Sequence, residues 1–346
     1  MKIEIKNFEE LKNKCNLTKN EMAFKENENT LPISITKHFL SLINLEDEND
    51  PLRIQVFPNV LEENEDNLEN IDPLEEVTHT KTSRLIHRYK SRVALLTTDI
   101  CPMYCRHCFR RRFTGKLLGP IKNSEIIEAA NYIQKHPDIT EILLTGGDLL
   151  TLTDNKLDFL IKTLREKNPK LIMRICTRMV ITLPSRITDK LLSIFKKYNS
   201  APFYLLTQIN HPKELVKESI YAINKFIDAG IPALNQSVML KGVNDNFDIM
   251  EELCNKLLFN RIKPYYVFQG DLVSGTAHLR VNVNKTKEIE REMRKRLSGL
   301  AMPNFMIDLP NGGGKVPLTD SYLEEFSNNY YIFKTLDNEK RKYPHI

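Results

Sequence analysis

Cysteine is sparse in this chain of 346 residues: Cys15, Cys101, Cys105, Cys108, Cys176 and Cys254 are the whole supply. Three of the six crowd into one octapeptide, which is not the even spacing of a disulfide framework and suits a reducing compartment. Long apolar runs are missing too. No uninterrupted stretch reaches the roughly 18 residues that cross a bilayer, and the N-terminus MKIEIKNFEELKNKC is charged from its second residue. A soluble, cytoplasmic protein with no membrane partner is the expectation. A strong excess of one charge is also lacking, since 50 basic side chains stand against 45 acidic ones for a formal net charge of +5; that balance gives little reason to expect nucleic acid as a partner. Glycine numbers only twelve, so any glycine cluster stands out.

What is present is enough for a large core, as one big domain or two smaller ones, with 41% hydrophobic residues. Residues 1–84 read as an irregular, mostly helical region, and the acidic run LEENEDNLENIDPLEE (61–76) as a solvated face. From 85 to 300, six short apolar runs (VALLTT, EILLTGG, LIMRIC, PFYLLTQI, PALNQSVML, KPYYVF) alternate with amphipathic stretches such as NSEIIEAANYIQKH, NKLDFLIKTLREK and NFDIMEELCNKLL. Repeated strand and helix alternation predicts an α/β fold, a parallel sheet with right-handed crossovers closing into a barrel or partial barrel. Its site would lie in the loops leaving the strand C-termini. Residues 301–346 form a C-terminal segment that carries a glycine loop.

CPMYCRHC (101–108) follows the first of these strands. A structural zinc site takes four closed ligands, and no neighbouring CxxC pair completes this one, although a partial zinc knuckle remains an alternative. Thiolates also hold iron-sulfur clusters, usually four to a cubane, so three would leave one iron open to an outside ligand. TGGDLL (145–150) ends the second strand; its glycines either make a turn or let backbone approach a ligand. In IDLPNGGGKVP (307–317), Lys315 follows Gly312, Gly313 and Gly314. Such a loop wraps a ligand or makes an unusual turn, lacks the Walker A spacing, and could present its lysine to a carbonyl cofactor such as pyridoxal phosphate (PLP).

CxxxCxxC after the first strand of this pattern resembles the radical S-adenosylmethionine (SAM) superfamily, with its partial (β/α)6 barrel. Together with HRYKSRVALLTTDICPMYCRHCFRRRF, INHPKEL, NQSVMLKGVND, KPYYVFQGDLVSGTAHLR and IDLPNGGGKVP, it is similar to the lysine 2,3-aminomutase family. The resemblance implies an isomerase that converts L-lysine to β-lysine, with a PLP-assisted 1,2-amino shift started by a 5'-deoxyadenosyl radical. It implies a [4Fe–4S] cluster on Cys101, Cys105 and Cys108, SAM against Gly146, Gly147 and Asp148, and PLP on Lys315. Arg88, Tyr89 and Arg92 would lie at PLP, and Arg178 and Gln236 would line the SAM and PLP pocket. An external electron donor follows from the chemistry.

The resemblance further implies that Arg110 meets the substrate carboxylate and that Asp271 and Asp308 meet its ε-ammonium. Two carboxylates suit a diamino acid, because a buried ammonium is costly unless paired. Taken alone, Asp271 could cap a turn and Asp308 end a strand. Three glycines precede Lys315 where the catabolic enzymes have four. About thirty residues follow Lys315, without the cysteine-rich zinc tail of those enzymes, and Asn246 stands where a further zinc ligand could be. That shortness resembles the branch that makes (R)-β-lysine for elongation factor P, and a homo-oligomer is an open expectation. Two other readings stand beside this one: a radical SAM enzyme that is not a mutase, and RNA binding through Arg110, Arg111 and Arg112 beside Phe109 and Phe113.

Overall fold

The structure is a computed structural model, and it describes residues 3–27, 30–63, 69–310, 313–326 and 330–344. Its N-terminal part is made of short pieces: strands β1 (Ile3–Ile5) and β2 (Ile35–Thr36), paired antiparallel, with helices α1 (Phe8–Lys14), α2 (Lys19–Met22), α3 (Lys37–Leu40) and α4 (Pro51–Val56). Asn7, Thr18, Thr36 and Asp50 cap these helices, each side chain accepting a backbone N–H of the first turn. Helices this short are not stable alone. They hold by burying Phe8, Leu11, Phe39 and Leu52 in the same core as the main sheet.

That sheet has ten strands in simple sequence order: β3 (Thr80–Thr82), β4 (Leu85–Tyr89), β5 (Arg92–Thr98), β6 (Glu141–Gly146), β7 (Ile172–Cys176), β8 (Phe203–Thr207), β9 (Ala233–Val238), β10 (Ile262–Phe268), β11 (Asn304–Leu309) and β12 (Gly314–Pro317). Neighbours from β5 to β11 are parallel, and β3, β4 and β12 add antiparallel edges. The six apolar runs of the sequence are β5 to β10. A seventh parallel strand, β11, escaped that reading because Asn304 and Asp308 interrupt its apolar character.

Helices α5 (Asn123–Lys135), α6 (Asp154–Lys167), α7 (Met179–Thr182), α8 (Asp189–Lys197), α9 (Lys217–Asp228), α10 (Phe247–Phe259) and α11 (Val283–Arg296) fill the crossovers. Three bury the same i, i+3, i+4, i+7 stripe: Ile126, Ala129, Ala130 and Ile133; Leu157, Leu160, Ile161 and Leu164; Met250, Leu253, Cys254 and Leu257. At roughly 1.5–3 kcal/mol for each large aliphatic side chain, these stripes fix the helices to one face of the sheet. Asn246 serves here as the N-cap of α10, accepting the N–H groups of Asp248 and Ile249.

The sheet is not a closed barrel: β3 and β12 are its free edges among the described residues. It curls far enough that Arg88 of β4 comes within 3.5 Å of Asp308 of β11. The ends of the sheet thus meet through side chains rather than backbone. Beyond β12, strands β13 (Leu323–Phe326), β14 (Tyr330–Lys334) and β15 (Lys340–Pro344) make a separate antiparallel sheet.

Candidate active site

The inner face of the curled sheet encloses a cavity of about 380 Å³. Strand periodicity writes its wall. Leu143 and Thr145 of β6, Arg174 and Cys176 of β7, Gln236 and Val238 of β9, and Tyr266 and Phe268 of β10 face inward two residues apart. Their neighbours Ile142, Leu144, Met173 and Ile175 are buried on the helix side. Cys101, Cys105, Cys108, Arg88, Tyr89, Arg92, Gly146, Gly147, Asp148, Arg110, Arg178, Gln236, Asp271, Asp308 and Lys315 all line this one space. Gly313 and Gly314 do not line it, and Gly312 lies outside the described residues.

The loop after β5 is held from behind. Arg106, between Cys105 and Cys108, points out of the cavity, donates to Glu62 at 2.7 and 2.6 Å and to the carbonyls of Leu31 and Pro32, and is almost wholly buried. His107 points in. Its Nε2 lies 3.3 Å from the Gln208 amide and 3.4 Å from that of Asn210, which places the ring proton on Nδ1, a buried atom without a partner. Burial, with Arg178 nearby, lowers its pKa to about 3, so the ring is neutral. Burial pushes the Cys101 and Cys105 thiols up, with Asp148 adding to the effect at Cys101 and Arg178 opposing it at Cys105. Iron would have to displace those protons. A structural zinc site takes four ligands, whereas a cubane takes one thiolate at each of three irons and leaves the fourth open, which fits three cysteines without a fourth.

Gly146 and Gly147 form the seat of this loop. Gly146 has φ +121°, and a Cβ on either glycine would run into backbone, the Thr98 carbonyl for Gly146 and the Ile100 carbonyl for Gly147. Asp148 N donates to the Ile100 carbonyl at 2.9 Å. The buried Asp148 carboxylate accepts from Thr177 Oγ1 at 2.6 Å and from the backbone N–H groups of Leu150 and Arg178 at 3.0 and 2.8 Å. It ties the second strand loop to the third. Arg178, so placed, puts Nη1 2.7 Å from Cys105 Sγ and Nη2 2.7 Å from the fully buried Glu214.

The acidic run is not a solvated face. Glu62 pairs with Arg106 and Arg111, Asp72 with Arg112, and Glu76 with Arg110 and Arg112. The run supplies the counter-charges for the arginines of the loop after β5, and burial of Glu62 and Glu76 goes with that pairing. Burial opposes ionisation of Glu76, yet Arg110 and Arg112 hold its carboxyl below the usual range. Residues 64–68 of the run lie outside the described residues.

On the opposite wall, Lys315 and Asp308 are cross-strand partners, with Nζ 2.6 Å from Oδ2. Of the described glycines before Lys315, Gly314 sits at φ +80°, and a Cβ on Gly313 would meet the Leu309 side chain at 2.7 Å. Asp271 lies in the loop after β10, and burial together with the nearby Asp308 raises its pKa to about 7. Arg88 Nη2 and Tyr89 Oη are buried without partners, as is Arg178 Nε. Unsatisfied donors of this kind, lining a cavity, fit a phosphorylated cofactor at the β4 end and a charged ligand beside the cysteines. Sequence reading missed Glu76, Thr145, Tyr265, Tyr266 and His107 in the wall. Only Tyr266 carried a signal, its i, i+2 spacing from Phe268.

A family model described as Radical SAM superfamily matches residues 95–254, and one described as Lysine-2,3-aminomutase matches residues 289–345. An L-lysine 2,3-aminomutase of Clostridium subterminale is 42% identical over 334 residues, covering 96% of this chain and 80% of that protein. One from Bacillus subtilis is 36% identical over 341 residues, 98% of this chain and 72% of that protein. A glutamate 2,3-aminomutase of Clostridioides difficile is 38% identical over 324 residues, 93% of this chain and 76% of that protein.

Proposed function

The chain belongs to the lysine 2,3-aminomutase family of radical SAM enzymes, and from that membership we propose that it is an isomerase converting L-lysine to β-lysine. In this reaction the α-amino group and a β-hydrogen exchange places. The observation that carries the reading is the meeting of Cys101, Cys105 and Cys108 with Lys315, Asp271 and Asp308 in a single cavity. A relative acting on glutamate is as similar as several acting on lysine, so identity does not choose the side chain. Asp271 and Asp308 do, because they attract an ammonium and repel a carboxylate.

Cys101, Cys105 and Cys108 would hold a [4Fe–4S] cluster with one iron open to SAM, and Lys315 would hold PLP, with Arg88, Tyr89 and Arg92 at its phosphate end. When bound, these groups supply a 5'-deoxyadenosyl radical and a conjugated ring over which an unpaired electron spreads. The protein's own part is placement. Gly146 and Gly147 let the cluster loop settle against β6, and Arg178 supports Cys105. Arg110 orients the substrate carboxylate, and the aspartate pair receives the far ammonium, fixing the β-carbon between them. The curled sheet keeps water from the reacting carbons.

The test is anaerobic: protein reconstituted with iron, sulfide and PLP receives SAM, a strong reductant and L-lysine, and products are separated by chiral chromatography. Catalytic β-lysine supports the assignment. An (S) product points to a metabolic role and an (R) product to a role in modifying elongation factor P. SAM cleavage with lysine unchanged overturns the substrate reading.

A further inference from the structure

Arg110 is the cation that receives the substrate carboxylate in the reading above, yet a carboxylate of the protein already holds it. Glu76 lies on a strap, residues 69–79, that precedes β3 and places Leu74 and Glu76 in the cavity wall. Its Oε1 and Oε2 take Arg110 Nε at 3.2 and 3.0 Å, and its Oε1 takes Nη2 at 2.6 Å. Arg110 Nη1 reaches Thr145 Oγ1 at 3.2 Å. Both Arg110 and Glu76 are buried, and both line the cavity. A guanidinium has five N–H groups. Glu76 takes the Nε–H and one on Nη2, and Thr145 takes one on Nη1. One N–H remains on each terminal nitrogen, and with Thr145 on the Nη1 hydrogen that lies away from Nη2 the two make the end-on fork that fits a carboxylate with two parallel bonds.

We propose that Glu76 is the positioning residue for substrate carboxylate binding: it clamps the side edge of Arg110 so that the end edge alone faces the substrate. Arg112 donates to Glu76 at 3.0 Å and to Asp72 at 3.1 Å, so the two arginines and two carboxylates balance in charge. The substrate carboxylate is therefore received by the oriented N–H donors of Arg110 and not by an excess of positive charge. Loss of the clamp frees Arg110 to rotate. The substrate then loses orientation at its carboxylate end while its ammonium end is still held by Asp271 and Asp308.

The experiment compares two ligands on the anaerobically reconstituted, PLP-loaded protein: L-lysine and 1,5-diaminopentane, which is lysine without its carboxylate. Dissociation constants are read from the PLP absorbance. In Glu76→Gln the affinity for L-lysine falls about tenfold, while that for 1,5-diaminopentane stays within twofold. Glu76→Asp recovers part of the loss. Equal weakening of both ligands, or no weakening of lysine, overturns the proposal. Should Glu76→Gln fail to fold, the double variant Glu76→Gln/Arg112→Gln, which removes a charge of each sign, is held to the same outcomes. The inference rests on the assignment of Arg110, so Arg110→Lys is measured beside it. If that variant leaves the lysine to diaminopentane ratio unchanged, the assignment of Arg110 itself fails; if it alters the ratio and Glu76→Gln does not, only the clamp fails.

Discussion

Asp308 and Lys315 stand opposite each other across the β11–β12 pair, their charged ends 2.6 Å apart. The turn that brings them together needs glycine at 314, where φ is +80°. Asp308 also lies 3.5 Å from Arg88. Its carboxylate thus serves two cations of the protein, and a substrate ammonium would share it with them.

Asp308→Asn removes the counter-charge while keeping the shape. Its side chain is 5% exposed, so the ammonium it faces is poorly solvated. We expect kcat/KM for L-lysine to fall by about 100-fold, roughly 3 kcal/mol, with PLP still bound as judged by its visible absorbance. Retention of wild-type kcat/KM would sink the role assigned to Asp308.

With Asp271 at the substrate ammonium, as proposed, lysine binding is expected to depend on pH. Burial, and then repulsion from Asp308, raises its pKa to about 7. Below that pH the carboxyl is mostly protonated and neutral and cannot pair with an ammonium; above it the carboxylate is charged and can. Affinity for L-lysine therefore rises from pH 6 to pH 8, by up to about tenfold for each unit below 7. In Asp271→Asn the profile between these limits becomes flat. A profile of equal slope in the variant would assign the titration to another group.

The parallel sheet was legible because each of β5 to β10 is an apolar run bounded by turn residues, and the cysteine spacing needed no fold to be noticed. Glu76 was not legible. It sits in a stretch of acids that composition alone reads as solvated, and its partner Arg110 is 34 residues further along the chain. Only the strap before β3, which places Glu76 in the cavity wall, brings them together. The glycine run had two readings open, a ligand wrap or a turn; the described Gly313 and Gly314 take the turn, and the part that meets the cavity is Lys315. Arg178 was expected at a cofactor pocket, but its support by Glu214 and Gln55 is long-range and leaves no mark in the local sequence.

Gly147→Ala tests how the cluster loop is seated. A methyl at this position meets the Ile100 carbonyl, which is backbone and cannot swing aside. The loop must shift, at a cost of about 1–3 kcal/mol. We expect the variant to fold with an unchanged far-ultraviolet circular dichroism spectrum, while iron and sulfide bound after reconstitution fall to less than half of wild type. Full cluster content in Gly147→Ala would mean that the two loops are not rigidly coupled.

Glu214 tests the support of Arg178. The carboxylate is wholly buried, with Oε2 on Arg178 at 2.7 Å and Oε1 accepting the backbone N–H groups of Asn210 and His211 at 2.9 and 3.0 Å. In Glu214→Gln one of these oxygens becomes an amide nitrogen. If the remaining oxygen keeps the backbone donors, the new N–H groups face Arg178, donor against donor, and a buried guanidinium loses its counter-charge. Breaking a buried pair in this way costs about 3–5 kcal/mol, which lowers Tm by roughly 4–7 °C in a chain of this size. Arg178 also lies 2.7 Å from Cys105 Sγ, so its displacement reaches the cluster loop and lowers iron retention together with Tm. Calorimetry and iron analysis on one preparation separate the effects: a lowered Tm with full iron content leaves Glu214 a purely structural residue, and an unchanged Tm contradicts the buried pair itself.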